Sequence, residues 1–320
     1  MARPPLGFLR ALAVALLVAS SGCGESQSAP PAEPIGEGAA ADGASLETPI
    51  FEQNFVFASV SGDSVFLVPW MIRATSLPES VQRESRGWLA RSGTWDAFYA
   101  EEWTTPPSRT PARLLPFGNL QLVVQEGDVV DGIIFDHGAR RLELALGEVQ
   151  ASWGGPRGET VELLEGAAYL AEERVDGVVL HLARASAGAS PRGGDWALLL
   201  SGDSMRVVLA ADSEHGGEVE PSYSGWADLR GAALQWSDLH VDWTDTQAFP
   251  PARRDVPASW RIWSSDGTLE GELHAISSDV QAGVGPGPLL PVRALFEVVG
   301  EVSTAEGDFP VHGLLVHERR

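Results

Sequence analysis

The chain contains no lysine: all 22 of its basic residues are arginine, and 44 acidic residues face them. A formal charge of −22 argues against nucleic acid and anionic membrane surfaces as partners, since both repel it. Cysteine is nearly absent too. With Cys23 alone there is no internal disulfide, and a lone cysteine asks for another explanation. The longest unbroken apolar run at the N-terminus, Ala11 to Ala19, is too short to span a bilayer. There is no P-loop and no G-x-S-x-G elbow.

What is present begins with MARPPLGFLRALAVALLVASSGCGE. Arg3 and Arg10 precede a short apolar core and are the only charges before Cys23, which is the layout of an export signal. The run ends in Ser20-Ser21-Gly22-Cys23 and resembles a bacterial lipobox, with Ser20 where Leu is usual. Residues 1–22 are therefore expected to be a lipoprotein signal peptide and Cys23 the lipidated residue. Acyl chains would anchor it to a lipid membrane, each buried CH₂ adding about 0.8 kcal/mol. Gly24 is not the Asp that favours inner-membrane retention in enterobacteria, so the expected place is the cell envelope, at the outer rather than the inner membrane. Residues 23–49 hold Pro, Ala, Gly, Ser and acid with almost no core-forming residue, and read as a disordered tether.

From residue 50 on, the hydrophobic period is two. RLELALGEV, NLQLVV, GVVLHLAR and TLEGELHA alternate apolar and polar positions. Turn pairs such as Asp131-Gly132, Asp176-Gly177 and Asp266-Gly267 read as strand boundaries. This predicts an all-β protein of short antiparallel strands, as sandwich or barrel. One stretch, SLPESVQRESRGWLAR (76–91), reads as a short helix with Ser76 as cap and Pro78 in the first turn.

Two G-D-S stretches, VSGDSV and LSGDSM, resemble the serine block of GDSL-type hydrolases. That chemistry needs Ser64 or Ser204 on a strand-to-helix turn and an Asp-x-x-His near the C-terminus; strand-like sequence follows both, and the histidine motif is missing there. Gly first is what a two-residue type II′ hairpin wants. The first hairpin should then pair Ser61 with Ser64, Val60 with Val65 and Phe57 with Val68. Their recurrence suggests two similar domains, 50–188 and 189–320.

Eleven tryptophans are available to fill a core or to line a ligand cavity. In LQWSDLHVDW a strand places Trp236, Asp238, His240 and Asp242 on one face and Leu239, Val241 and Trp243 on the other. An Asp-His-Asp row is a candidate acid/base or ligand-binding group; the alternative is the wet face of a half-buried strand. No metal or cofactor is expected. His312 and His317 fall on opposite strand faces, and the prolines of GVGPGP (283–288) remove the amides a dinucleotide loop needs.

In the C-terminal third, DVPASWRI, TLEGELHAISSD, ALFEVVGEV and VHGLLVHE resemble the end of the carotenoid 1,2-hydratase and tocopherol cyclase group. Pro257, Trp260, Glu297, Gly313 and Glu318 match its pattern, and Trp226 and Asp228 of GWADLRG match its Trp-x-Asp motif. Phe296, Val298, Leu315 and Val316 depart from it. The resemblance implies two lipocalin-like β-barrel domains, with Trp226, Asp228 and Glu297 as site residues. Four functions follow as expectations. The first is an envelope lipoprotein holding an apolar, isoprenoid- or lipid-like molecule in a lipocalin-like cavity. The others are an acid-catalysed hydratase or cyclase using Asp228, Asp238, His240 or Glu297, a carbohydrate-active sandwich, and an assembly protein without a small ligand.

Overall fold

A computed structural model describes residues 48–319 apart from 63, 127–128, 156–157, 187–193, 203 and 212–221. The signal, Cys23 and the tether lie outside the described residues. The first sheet is built of β1 (Ile50–Ser61), β2 (Ser64–Leu77), β3 (Ser80–Arg91), β4 (Thr94–Thr105), β5 (Leu120–Val124), β6 (Val130–His137), β7 (Arg140–Gly154), β8 (Thr160–Leu170) and β9 (Glu173–Ser186). The second is built of β10 (Trp196–Ser201), β11 (Met205–Ala211), β12 (Tyr223–Leu229), β13 (Ala232–Phe249), β14 (Arg254–Ser264), β15 (Leu269–Ala282), β16 (Val292–Thr304) and β17 (Gly307–Arg319). A 3-10 turn, Pro250–Ala252, joins β13 to β14.

The second sheet is a closed meander: every strand pairs with its sequence neighbours, and β10 pairs with β17 to complete the barrel. The first has the order β4-β3-β2-β1-β9-β8-β7-β6-β5 and stays open. It curls until Phe98 and Tyr99 of β4 meet Phe135 of β6, with ring centroids 5.0 and 6.0 Å apart. Strand alternation divides the core into three layers. One fills the barrel, with Leu199, Trp236, Trp260 and Phe296. One fills the hollow of the curled sheet, with Phe57, Trp70, Ile133 and Leu144. The third lies between the two sheets, with Val56, Leu67, Trp88 and Leu180 against Leu198, Trp226, Leu295 and Leu314.

The first hairpin has the expected register, Phe57 opposite Val68 and Ser61 opposite Ser64, with Gly62 at φ 60°. The second differs. Ser201 pairs with Met205, so three residues rather than two make the turn, closed by Ser204 N–H donating to Ser201 O at 2.9 Å.

The expected helix is strand β3. Leu77 pairs with Ser80, so Pro78 and Glu79 form a hairpin turn instead of a first helical turn. Its alternation is hidden because Arg83 and Ser85 are buried on one face while Trp88 and Ala90 are buried on the other. Two glycine pairs read as turns also lie inside strands. A Cβ on Gly177 of β9 would stand 2.4 Å from Ala58 O, so the glycine lets neighbouring backbones and the Phe57 ring approach.

Candidate functional site

The layer between the sheets is apolar at its centre and charged at one end, and the period of two explains how. Beyond buried Val56 and Asn54 on β1 comes Glu52. Beyond Met71 on β2 comes Arg73, and beyond Trp88 on β3 come Arg86 and Glu84. Beyond Leu182, Leu295 and Val316 come Arg184, Arg293 and Glu318. Each charged residue continues a face already committed to the interface, so six strands deliver their charges to one place.

There they form a continuous network. Glu318 accepts from Arg73 Nη2 at 2.8 Å and from Arg293 Nε at 2.7 Å. Arg293 Nη1 reaches Glu84 Oε1 at 2.8 Å, and Arg86 bonds the same carboxylate. Glu52 accepts from Arg73 Nε and from Arg184 Nε, both at 2.7 Å. Burial would raise the Glu52 carboxyl, but Arg184 and Arg73 outweigh it and hold it down at about 2. Burial is likewise outweighed at Glu84 by Arg293, Arg73 and Arg86, and at Glu318 by Arg73 and Arg293; both sit at about 2. Beside the network a cleft of about 350 Å³ opens between β2–β3 and the barrel strands β15–β17. Arg73, Arg86, Arg293 and Arg319 border it against Glu84 and Glu318, with Ala282 and Val292 as part of its apolar wall.

Next to the cleft, inside one end of the barrel, His317 is fully buried. Its Nδ1 lies 2.8 Å from Asp195 Oδ2, whose other oxygen accepts the Glu318 N–H at 3.1 Å. The Trp243 ring meets the imidazole edge-on at 5.1 Å. The remaining ring nitrogen, Nε2, is buried without a partner among the described residues. Burial, reinforced by Asp195, raises the neighbouring Tyr223 hydroxyl well above its ordinary value. A gap of about 10 Å³ lies among Asp195, Tyr223, Val241 and Trp260, room for about one water.

The residues singled out from sequence do not converge on either place. Trp226 is buried between barrel and curled sheet, and Asp228 on the same face accepts from Arg206 at 3.4 Å and from Gly231 N–H at 2.8 Å. Trp236 was expected beside Asp238, His240 and Asp242, but it points into the barrel and donates to Thr268 at 2.8 Å. The reason is a bulge: Gly225 pairs with Trp236 and Tyr223 with Leu239, so one extra residue on β13 reverses the faces. Asp238, His240 and Asp242 lie on the outside, where His240 stacks on Trp263 at 5.0 Å and bonds Ser265. Glu297 is buried between the sheets and accepts from Ser277 Oγ at 2.6 Å, which in turn takes the Trp95 indole N–H at 3.0 Å. Inside the barrel, where an apolar ligand was expected, the Trp260 and Phe296 rings pack 5.2 Å apart among other buried side chains.

What sequence reading missed was Glu52, Arg73, Glu84, Arg184, Asp195, Arg293 and His317. The available signal was an unbroken alternation in which the polar member falls on the buried face. Among the described residues no group of three or more His, Cys, Asp or Glu is placed to hold a metal ion.

No protein-family model and no curated protein sequence matches this chain. Solved structures do, three of them as follows. An AttH-like protein from Nitrosomonas europaea aligns over 84% of this chain and 92% of its own, at 9% identity and a TM-score of 0.58. Kievitone hydratase from Nectria haematococca aligns over 86% and 89%, at 12% identity and a TM-score of 0.52. CghA, crystallised with Sch210972, aligns over 85% and 88%, at 10% identity and a TM-score of 0.52. At such identities the likeness speaks to architecture alone: the chain has the lipocalin-like, all-β fold that these proteins share.

Proposed function

We propose that the protein binds a small organic molecule in the cleft between the curled sheet and the barrel, and that it does so in the cell envelope, held there by a lipidated Cys23. The observation that carries the reading is the cleft itself. Its 350 Å³ is within the range of small-molecule sites, and its walls come from both sheets. Four guanidiniums and two carboxylates border it in a chain whose charge is −22, so it is a local excess of positive charge. The apolar stretch from Pro291 to Val292 adds a second kind of surface. A molecule with an apolar body and an oxygen-rich or acidic group matches that combination, which keeps the isoprenoid- or lipid-like class but moves it from the barrel to the cleft. A fold relative crystallised with a small molecule, CghA with Sch210972, is consistent with this use of the architecture.

A second reading, hydratase- or cyclase-type acid–base chemistry related to the carotenoid hydratase group, is favoured by the Asp195–His317 pair. Its His317 sits on the strand that also supplies Glu318 and Arg319 to the cleft, and kievitone hydratase has a similar fold. Both readings are tested together. Gln281 is half-buried on the cleft wall, opposite Arg293 and on the face of β15 that points away from the barrel interior, so Gln281→Trp fills the cleft. The protein and this variant would be incubated with an extract of the source cells and the retained compounds identified by mass spectrometry. A compound kept by the parent and lost from Gln281→Trp supports binding, and conversion to a species heavier by one water supports hydration. Equal retention by both proteins excludes the cleft. For the anchor, Cys23→Ser is expected to move the protein from the membrane pellet to the soluble fraction and to abolish incorporation of labelled palmitate. A variant that still pellets and still takes up label overturns lipidation at Cys23.

A further inference from the structure

The barrel end next to the cleft carries a second, separate feature: arginines without counter-ions. Acid outnumbers base twofold in this chain, and Arg73, Arg184 and Arg293 all have carboxylate partners. Arg254 and Arg319 do not. Among the described residues the Arg254 guanidinium has no ion pair, and its Nε is buried without a hydrogen bond. Among the described residues Arg319 has only the face of Trp243, with its guanidinium carbon 4.9 Å from the ring centroid. Burial and the charge of Arg319 both lower the Arg254 pKa, so the two cations act on each other. Unpaired, mutually repelling guanidiniums cost stability, and a bound anion removes that cost.

The surroundings narrow the class of anion. Arg254 continues the inward face of β14 beyond Val256, and Arg319 continues that of β17 beyond His317. Tyr223 lies in the field of both Asp195 and Arg319, and His317 keeps Nε2 unpaired. The other neighbours at this end are apolar: Val241, Trp243, Phe249 and Leu290 pack against the barrel core. Asp195 opposes a multiply charged group, and the apolar rim suits a hydrocarbon body. The planar fork of arginine matches a carboxylate bidentately. We propose that this end of the barrel binds the carboxylate of an organic acid, with Arg254 and Arg319 holding the head group and Trp243 packing against the apolar part. The site does not rest on the cleft reading, although Arg319 borders both.

The full chain carrying Cys23→Ser would be titrated calorimetrically with decanoate, with methyl decanoate and with inorganic phosphate. Decanoate is expected to bind, and more weakly as salt rises, because the head group is held by charge. Methyl decanoate, Arg254→Gln and Arg319→Gln are each expected to weaken binding at least about tenfold, as loss of a charge-assisted bidentate contact does. Gln281→Trp, which fills the cleft from the opposite face of β15, should leave decanoate binding unchanged. If a glutamine variant fails to fold, Arg254→Lys keeps the charge without the fork and should still weaken binding severalfold. The proposal is overturned if decanoate does not bind, if its affinity survives the Arg254→Gln/Arg319→Gln pair, or if the ester binds as well. Phosphate that displaces decanoate at equal concentration would make this a site for inorganic anions instead.

Discussion

Gly313→Ala is expected to open the barrel. Gly313 lies on the closing strand β17, opposite Val298 of β16 on one side and Leu199 of β10 on the other. A Cβ there would stand 2.0 Å from Leu198 O, 2.9 Å from its carbonyl carbon and 3.0 Å from Leu199 Cα. All three are backbone atoms, so no side-chain rotation relieves the clash. Only withdrawal of β10 does, and that breaks the ladder that closes the sheet. β10 is short, six residues from Trp196 to Ser201, and its other face packs Leu198 and Leu200 against the curled sheet. Displacing it therefore disturbs two core layers at once. A loss of at least about 4 kcal/mol is expected, in the exceptional range for one substitution and a large part of the roughly 5–15 kcal/mol that holds a domain folded. Gly154→Ala is the control, because nothing lies within 4 Å of the place its methyl group would take; it should change stability by less than about 0.5 kcal/mol. Urea unfolding followed by tryptophan fluorescence separates the cases. Equal midpoints for Gly313→Ala and the parent would mean that β10 and β17 do not meet as described.

Why the fold was legible while the site was not comes down to which interactions are local. Hairpin register is set by a turn and the two strands beside it, so Gly62 and the alternation around it determine that Phe57 meets Val68. The period of two survives wherever the buried face is apolar, as at Leu142, Leu144 and Leu146. It fails at β3, where Arg83 is buried by donating to Arg113 O at 2.9 Å and to Thr105. Those partners come from a loop and from the next strand, and nothing in residues 76–91 announces them. Helical propensity then wins on paper and loses to tertiary pairing.

The candidate site fails to show for the same reason, more strongly. Glu52, Arg73, Glu84, Arg184, Arg293 and Glu318 are up to 266 positions apart, and each looks like an ordinary solvent-facing charge on its own strand. Only the packing of one sheet on another turns those faces inward. The Asp-His-Asp row on β13 was conspicuous because its members are adjacent, yet a single bulge separates it from Trp236 and leaves it outside. Sequence proximity pointed at residues that share a strand, whereas the structure gathers residues that share a layer.

That layer makes the molecule sensitive to acid, and the direction follows from the three carboxylates of the network. Glu52, Glu84 and Glu318 have pKa values of about 2 in the folded protein against an ordinary 4.5. A carboxylate held below its unfolded value contributes stability that is present in full above pH 4.5 and is lost as the pH falls from 4.5 through 2. A depression of this size corresponds to about 3 kcal/mol for one group taken alone. The three do not add, because Arg73 serves both Glu52 and Glu318 while Arg293 serves both Glu84 and Glu318. The melting temperature should hold nearly level from pH 8 to about 5 and then fall steeply, with several kcal/mol gone by pH 3. Glu318→Gln tests the cause. It leaves Arg73 and Arg293 without the carboxylate between them, so the variant is less stable than the parent at pH 7. It also has less to lose on acidification, and the two melting curves should converge as the pH approaches 2–3. Parallel curves down to pH 3 would mean that Glu318 does not titrate as its neighbours require. Convergence would place the acid-labile step at the contact between curled sheet and barrel. Because the same arginines and glutamates line the cleft, a molecule bound there should be released over the same pH interval in which that contact weakens.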